Sequence, residues 1–72
     1  MSEIELLELF SKNLKRMMKE DSISQEELAN RIGVSQAMVS RYMTGQCLPS
    51  LSTTIKIMDV LFCSLDNLIK EN

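Results

Sequence analysis

The side chains with the most recognition chemistry to offer lie between residues 36 and 44, a segment that contains no acidic group. Drawn as a helix at about 100° per residue, the segment turns Val39 and Tyr42 inward. An arginine can donate two hydrogen bonds to a guanine edge, a glutamine can pair in the same way with adenine, and an alanine can pack on a thymine methyl. The face therefore suits contact with nucleic-acid bases better than catalysis. Its outward residues are Gln36 at the flank, Ala37, Ser40, Arg41 and Thr44.

Two short helices and a glycine turn would position this face. The hydroxyl of Ser24 can accept from a free amide of the first helical turn, and Glu27 can bond back to it, which predicts a capping box. Gly33 ends this helix at a point where the backbone needs a positive φ, and Ser35 caps the next helix. A capped helix, a glycine turn and a second capped helix are typical of a helix-turn-helix. The predicted helices cover residues 25–32 and about 36–44, and the first buries Leu28, Ala29 and Ile32.

Further marks in the same order extend along most of the chain. They are Ser24-Gln25-Glu26-Glu27-Leu28-Ala29, Ile32-Gly33-Val34-Ser35, Val39-Ser40, Thr44-Gly45, Pro49-Ser50-Leu51 and Leu61 through Leu68. On these residues the segment from Asn13 to Leu68 resembles the lambda-repressor-like (Cro/repressor, XRE-type) DNA-binding family. The resemblance implies an all-α fold, a compact five-helix bundle forming one domain over residues 1–72. It also implies that helices 2 and 3 form the helix-turn-helix and that helix 3 enters the DNA major groove.

The resemblance assigns roles position by position. In this family the first turn of helix 3 and the residues one turn later read base edges, which here are Gln36, Ala37, Ser40 and Arg41. Phosphates are held at the start of helix 2 and around the ends of helix 3, which here are Gln25, Ser35, Thr44 and Gln46. Plainer interpretations stay open: Arg41 as a solvated arginine, Gln36 as part of a capping turn, and Ala37 as a good helix former.

Apolar residues at helical spacing predict the remaining helices. The first runs from about Glu3 to Glu20, the fourth from near Ser52 to about Leu61, and the last from Leu65 to Lys70 behind a Ser64 cap. The predicted core consists of Leu7, Phe10, Leu14 and Met17 from the first helix, Leu51, Ile55, Met58 and Leu61 from the fourth, and Leu65, Leu68 and Ile69 from the last.

The net charge of −2 argues against nucleic acid at first sight, because phosphate contacts dominate affinity for DNA. The distribution of charge weakens that objection. No acidic residue occurs from residue 28 through 58, whereas Arg31, Arg41 and Lys56 do. We therefore expect a mildly positive face on an acidic body, with modest and salt-sensitive affinity for double-stranded DNA.

Composition argues against several other classes of function. Histidine is absent, and Cys47 and Cys63 stand at no metal-ligand or redox spacing, so we expect no metal, no cofactor and no enzymatic activity. The apolar runs are too short to cross a membrane and the N-terminus is unlike a signal peptide, which favours a cytoplasmic protein without a membrane partner. The length leaves no room for a small-molecule effector domain.

Phe62 departs from the resemblance, since a glycine or small polar residue usually follows helix 4 in the family. Either it packs within the chain on helix 5 or the N-terminus, or it contacts a second copy. A domain this small is marginal alone and gains from dimerising. We expect a homodimer that binds two half-sites about 34 Å apart in a pseudo-palindromic operator. The candidate interface is Phe62, Leu65 and Ile69.

The leading interpretation is a sequence-specific, dimeric transcriptional regulator, by default a repressor that occludes a promoter. The alternative is a protein-binding module, either an antitoxin that autoregulates its operon or an interaction domain that has lost DNA binding. A salt-dependent DNA-binding assay separates these interpretations.

Overall fold

Five helices joined by short turns form the fold in the computed structural model, which describes residues 1–71. They are α1 Glu3–Glu20, α2 Gln25–Ile32, α3 Gln36–Met43, α4 Leu51–Leu61 and α5 Leu65–Ile69. No strand occurs within these described residues. The predicted all-α, five-helix architecture is confirmed, and the helix ends differ from the prediction by one residue at most. Thr44 lies just beyond α3 as its C-cap, and Lys70 occupies the same position after α5.

A serine stands at the N-cap, just before the first residue, of each of the five helices. Its hydroxyl can accept a hydrogen bond from an amide that has no partner in the first turn. At α2 only half of the predicted capping box is present. The Ser24 hydroxyl accepts from the Glu27 amide, but the Glu27 carboxylate lies 3.8 Å from the Arg31 guanidinium instead of returning to the cap. The five capping serines are Ser2, Ser24, Ser35, Ser50 and Ser64, and complete boxes stand at Ser2 with Glu5 and at Ser64 with Asn67.

One core joins the helices, with α1 packed on α3 and α5, and α2 packed on α3 and α4. The core residues predicted for α2 and α3 are buried, and so are those of α1 except Leu7, which is half-buried. The buried apolar side chains are Phe10, Leu14, Met17, Met18, Leu28, Ala29, Ile32, Val39, Tyr42, Ile57, Leu61 and Leu68.

Helix α4 turns a different face to the core than its pattern predicts. Leu51 and Ile55, expected in the core, are 76% and 48% exposed, and Met58 is half-buried. Thr54 is tolerated inside because its hydroxyl donates to the Ser50 carbonyl oxygen at 2.8 Å. The inward residues are Thr54, Ile57 and Leu61, of which Leu61 alone was predicted and is confirmed. As a result, α4 carries an apolar surface toward solvent.

A buried asparagine fastens α5 to α1. The Asn13 Nδ2 donates to the carbonyl oxygens of Leu68 at 3.0 Å and Lys70 at 2.9 Å. These acceptors lie at the end of a five-residue helix, where carbonyl groups have no partner within the helix. Asn13 is fully buried, and Leu68 fills the core beside it. Leu65, which the pattern also predicts for the core, is half exposed instead.

Phe62 ends α4 in the left-handed conformation, with φ 52° and ψ 48°, and its residue is 91% exposed. The alternative in which this ring packs within its own chain is therefore wrong. A residue with a Cβ costs about 1–2 kcal/mol in this conformation, which is why glycine commonly follows a helix.

We expect Phe62→Gly to raise the free energy of unfolding by about 0.5–1 kcal/mol, because the relief of strain exceeds the added freedom of the unfolded chain. Urea unfolding at low protein concentration measures the change. Phe62→Ala is the control, since it removes the ring but keeps a strained Cβ and should bring no such gain. A loss of stability in the glycine variant would show that the ring packs on its own domain.

Candidate nucleic-acid interface

A tight glycine turn sets the angle between α2 and α3. Gly33 lies at φ 76°, and its amide and that of Val34 both donate to the Ala29 carbonyl oxygen, at 2.9 and 3.1 Å. The Ala29 carbonyl group near the C-terminus of α2 therefore accepts two hydrogen bonds, which fixes the path of the turn. The α2 and α3 helices then pack directly on each other, and both bury apolar side chains in the core: Leu28 and Ile32 from α2, Val39 and Tyr42 from α3. Side chains on the opposite side of α3 are thereby held on a rigid support.

The residues predicted to read bases share that opposite side. Gln36, Ala37 and Arg41 are exposed, and Ser40 is half-buried at the edge of the face. The Ser35 hydroxyl accepts from the Met38 amide at 3.1 Å, which fixes the start of the helix. The face is 8 residues long from end to end, so it spans about 12 Å at the usual rise. Such a length suits insertion into one major groove.

Arg41 differs from the other two arginines of the chain. Arg16 lies 3.2 Å from Glu20 and Arg31 lies 3.8 Å from Glu27, each across one helical turn. Arg41 has no carboxylate partner within residues 1–71; its Nη1 points to the sulfur of Met38 at 3.7 Å. Sulfur is a weak acceptor, so the guanidinium keeps its capacity for stronger bonds. The contact with Met38 was not predicted, although the spacing of three residues on one helix could have suggested it.

The residues predicted to hold phosphates lie around the ends of α2 and α3. Gln25 is half-buried in the first turn of α2, and Ser35 is exposed at the start of α3. At the other end of α3, the Thr44 hydroxyl donates to the Ser40 carbonyl oxygen at 2.9 Å and accepts from Gln46 Nε2 at 2.9 Å. The Thr44 proton is thus in use, while Gln46 retains a second amide proton. In this arrangement Gln46 is the better donor and Thr44 orients it.

The chain segment that contains α3 carries a small excess of positive charge. The stretch from residue 28 through 58 carries no carboxylate, and Glu27 at its border is paired with Arg31. Helix N-termini add partial positive charge at the starts of α2 and α3. Anions are therefore favoured along this segment over the acid-rich remainder of the chain.

The cysteines show no sign of reactive chemistry. Burial raises the pKa of the Cys63 thiol, and the nearby Asp21 carboxylate raises it further, so the thiol is protonated at neutral pH. Cys47 is half-buried and packs against the core. Within residues 1–71 no group of three histidine, cysteine or acidic residues is arranged to hold a metal ion. No helix in the same range is long and apolar enough to span a bilayer.

Comparison with known proteins agrees with this geometry. Residues 14–68 match the family profile described as helix-turn-helix. Over 62 residues the chain is 34% identical to an uncharacterized HTH-type transcriptional regulator, YqaE, of Bacillus subtilis (strain 168). That match covers 86% of this chain and 53% of the relative, so the chain spans about half the length of the curated protein it matches. With a matching profile over most of its length and the five-helix, lambda-repressor-like fold, the chain belongs to the XRE-type helix-turn-helix family.

Proposed function

We propose that this chain is the sequence-specific DNA-binding domain of a transcriptional regulator and that α3 enters the major groove. The observation that carries the proposal is the exposed face of α3, where Arg41 is free of any carboxylate within residues 1–71 and Gln36 lies about one turn away. The rigid packing of α2 on α3 supports this face, and the surrounding stretch carries no acid. The name of the Bacillus relative agrees with this function.

Side-chain chemistry divides the contacts into two kinds. Arg41 suits a guanine edge and Gln36 an adenine edge, while Ala37 packs on a thymine methyl and Ser40 serves a base or a phosphate. Gln25, Ser35, Thr44 and Gln46 hold phosphates and fix the register of α3 without reading sequence. The second group lies at helix ends, where free amides and short polar groups favour anions.

The DNA-bound form is a homodimer on two half-sites about 34 Å apart, because one helix of this length covers only a few base pairs. Phe62 and Leu65 supply exposed apolar surface for the contact, and Ile69 lies half-buried behind them. Repression by occluding a promoter in the cytoplasm is the simplest outcome.

Selection of bound duplexes from a random pool tests the proposal. The recovered duplex should bind at least about 10³ times more tightly than a scrambled one at the same salt. Affinity for both should fall steeply between about 50 and 200 mM salt. The affinity for a duplex with both half-sites should exceed the affinity for a single half-site by far more than a factor of two. Failure to bind any duplex at low salt would favour the protein-binding alternative, an antitoxin or interaction module.

A further inference from the structure

Four apolar side chains form a stripe along α4 and its C-cap, called here the α4 stripe; three of them are exposed, and Met58 is half-buried against the core. Leu51, Ile55, Met58 and Phe62 follow one another at intervals of four, three and four residues, the spacing at which one helix packs on another. The buried side of α4, centred about 100° round the helix from the stripe, is occupied, since α2 packs against this helix. The stripe is thus a second apolar face that the five-helix fold leaves without a neighbour. Contiguous exposed surface of this kind marks an interaction site.

Two opposite charges flank the α4 stripe on one side. At about 100° per residue, Asp59 lies next to Ile55 on the helix surface and Lys56 lies farther round in the same direction. Both residues are exposed. Neither takes part in a salt bridge within residues 1–71, where the ion pairs are those of Arg16 and Arg31. The flank therefore has one cation and one anion available for a partner.

We propose that α4 packs antiparallel on α4 of a second copy of this chain, about a twofold axis passing between positions 56 and 57. Leu51 of each copy then faces Phe62 of the other, and Ile55 faces Met58. Lys56 of each copy comes within one helical turn of Asp59 of the other. A parallel pair would place the charged flanks of the two copies on opposite sides of the contact, so only the antiparallel arrangement brings Lys56 near Asp59 of the partner copy.

The α4 pairing specifies the interface of the homodimer proposed above, and it rests on that proposed function. It moves the centre of the interface from α5 to α4 and keeps Phe62 as the shared residue. The strained backbone of Phe62 fits this role, because a side chain that lowers the stability of the free domain contributes in the dimer. Leu65 lies at the edge of the contact, and Ile69, half-buried in the wall of an adjoining groove of about 110 Å³, lies outside its centre.

The size of the α4 stripe sets the strength of the contact. From its first to its last residue it extends about 17 Å at the usual helical rise. A stable interface buries about 800 Å² on each partner, which is more than four or five side chains supply. We therefore expect a concentration-dependent equilibrium between monomer and dimer, which two half-sites on one DNA would shift to the dimer.

Sedimentation velocity of the full chain without DNA tests the pairing. Ile55→Asp should weaken dimerisation by at least about tenfold, because it places a charge in the middle of the apolar contact. The matched control is Ile4→Asp on α1, an isoleucine that is 69% exposed on another helix and should leave the equilibrium unchanged. Circular dichroism of both variants verifies that they fold. Phe62→Gly is a second variant, which should stabilise the domain and still weaken the dimer.

A charge exchange tests the antiparallel direction. Lys56→Glu and Asp59→Lys should each weaken the dimer by about three- to tenfold, and the double variant should return close to the original affinity. Lack of recovery in the double variant would overturn the antiparallel pairing. A wild-type chain that stays monomeric at millimolar concentration, or an Ile55→Asp variant that dimerises as well as wild type, would overturn the surface itself.

DNA binding is measured separately on a single half-site. If Ile55→Asp keeps the half-site preference but loses the advantage of two half-sites, both the surface and the function stand. A wild-type chain that dimerises through α4 but binds no DNA would contradict the proposed function and leave the surface intact.

Discussion

Replacing Asn13 with alanine is expected to lower the free energy of unfolding by about 2–3 kcal/mol, although the residue is not among those predicted to contact DNA. Its amide donates to two carbonyl oxygens at the end of α5. The bond to the Leu68 oxygen is buried, so its loss leaves an unpaired carbonyl group in the interior, whereas the bond to the Lys70 oxygen is only partly buried and water can replace it. The loss is large for a 72-residue domain, whose total stability is roughly 4–10 kcal/mol.

Thermal unfolding measures this effect, since a loss of that size lowers the Tm of a small domain by about 10–20 °C. Asn30→Ala is the matched control, because Asn30 lies exposed on α2 and its replacement changes only helix propensity. Hydrogen exchange should show the loss of protection first in α5. A change in Tm of Asn13→Ala as small as that of the control would mean that the clamp adds nothing to stability.

The helix-turn-helix could be predicted almost entirely from the sequence, because its signals are local. Ser24 and Ser35 act through the amides three residues on, and Gly33 adopts the positive φ that ends α2. Each of these features depends on the backbone within one turn. The failed half of the box at Ser24 is instructive, since Glu27 has a competing partner in Arg31, one turn later on the same face. A local rule failed where a second local partner was available.

The orientation of α4 could not be predicted, because its sequence carries two faces at helical spacing. One face consists of Leu51, Ile55 and Met58, and the other of Thr54, Ile57 and Leu61. Hydrophobicity favours the first, yet the second is buried. Which face is buried depends on how the turn after Pro49 orients α4 against α2. That orientation is a property of the tertiary packing and not of the local sequence. Thr54 conceals the buried face from a hydrophobic pattern because its hydroxyl is satisfied within the helix.

The role of Asn13 was missed for a similar reason. It stands inside the apolar stripe of α1, three residues after Phe10 and four before Met17. A polar residue at such a position must have a partner, since burial of an unpaired amide is costly. The sequence therefore signals that a hydrogen bond exists, but its acceptors lie 55 and 57 residues farther along the chain. Only the packing of α5 on α1 identifies them.

Arg41→Ala is expected to cost about 1–3 kcal/mol of binding free energy on the selected DNA site and to relax the preference at one base position. The guanidinium is exposed on α3, and within residues 1–71 its side-chain partner is the Met38 sulfur, so little has to be broken when it turns to a base. Two hydrogen bonds from one guanidinium to guanine distinguish this base from the other three, so their loss relaxes the preference for guanine. Binding to random duplexes should fall much less, because only the general attraction of one positive charge is lost there.

Gln25→Ala is the control for Arg41→Ala, because it is expected to remove a phosphate contact instead of a base contact. Gln25 lies in the first turn of α2, where we propose that it holds a phosphate without reading sequence. Its loss should weaken binding to the selected site and to random duplexes by similar factors, with the base preference unchanged. Binding constants for both variants on both kinds of DNA, at one fixed salt concentration, separate the two roles. If Arg41→Ala instead lowers both affinities equally, as expected for Gln25→Ala, Arg41 is a phosphate ligand and the sequence preference has to come from the remaining residues of α3.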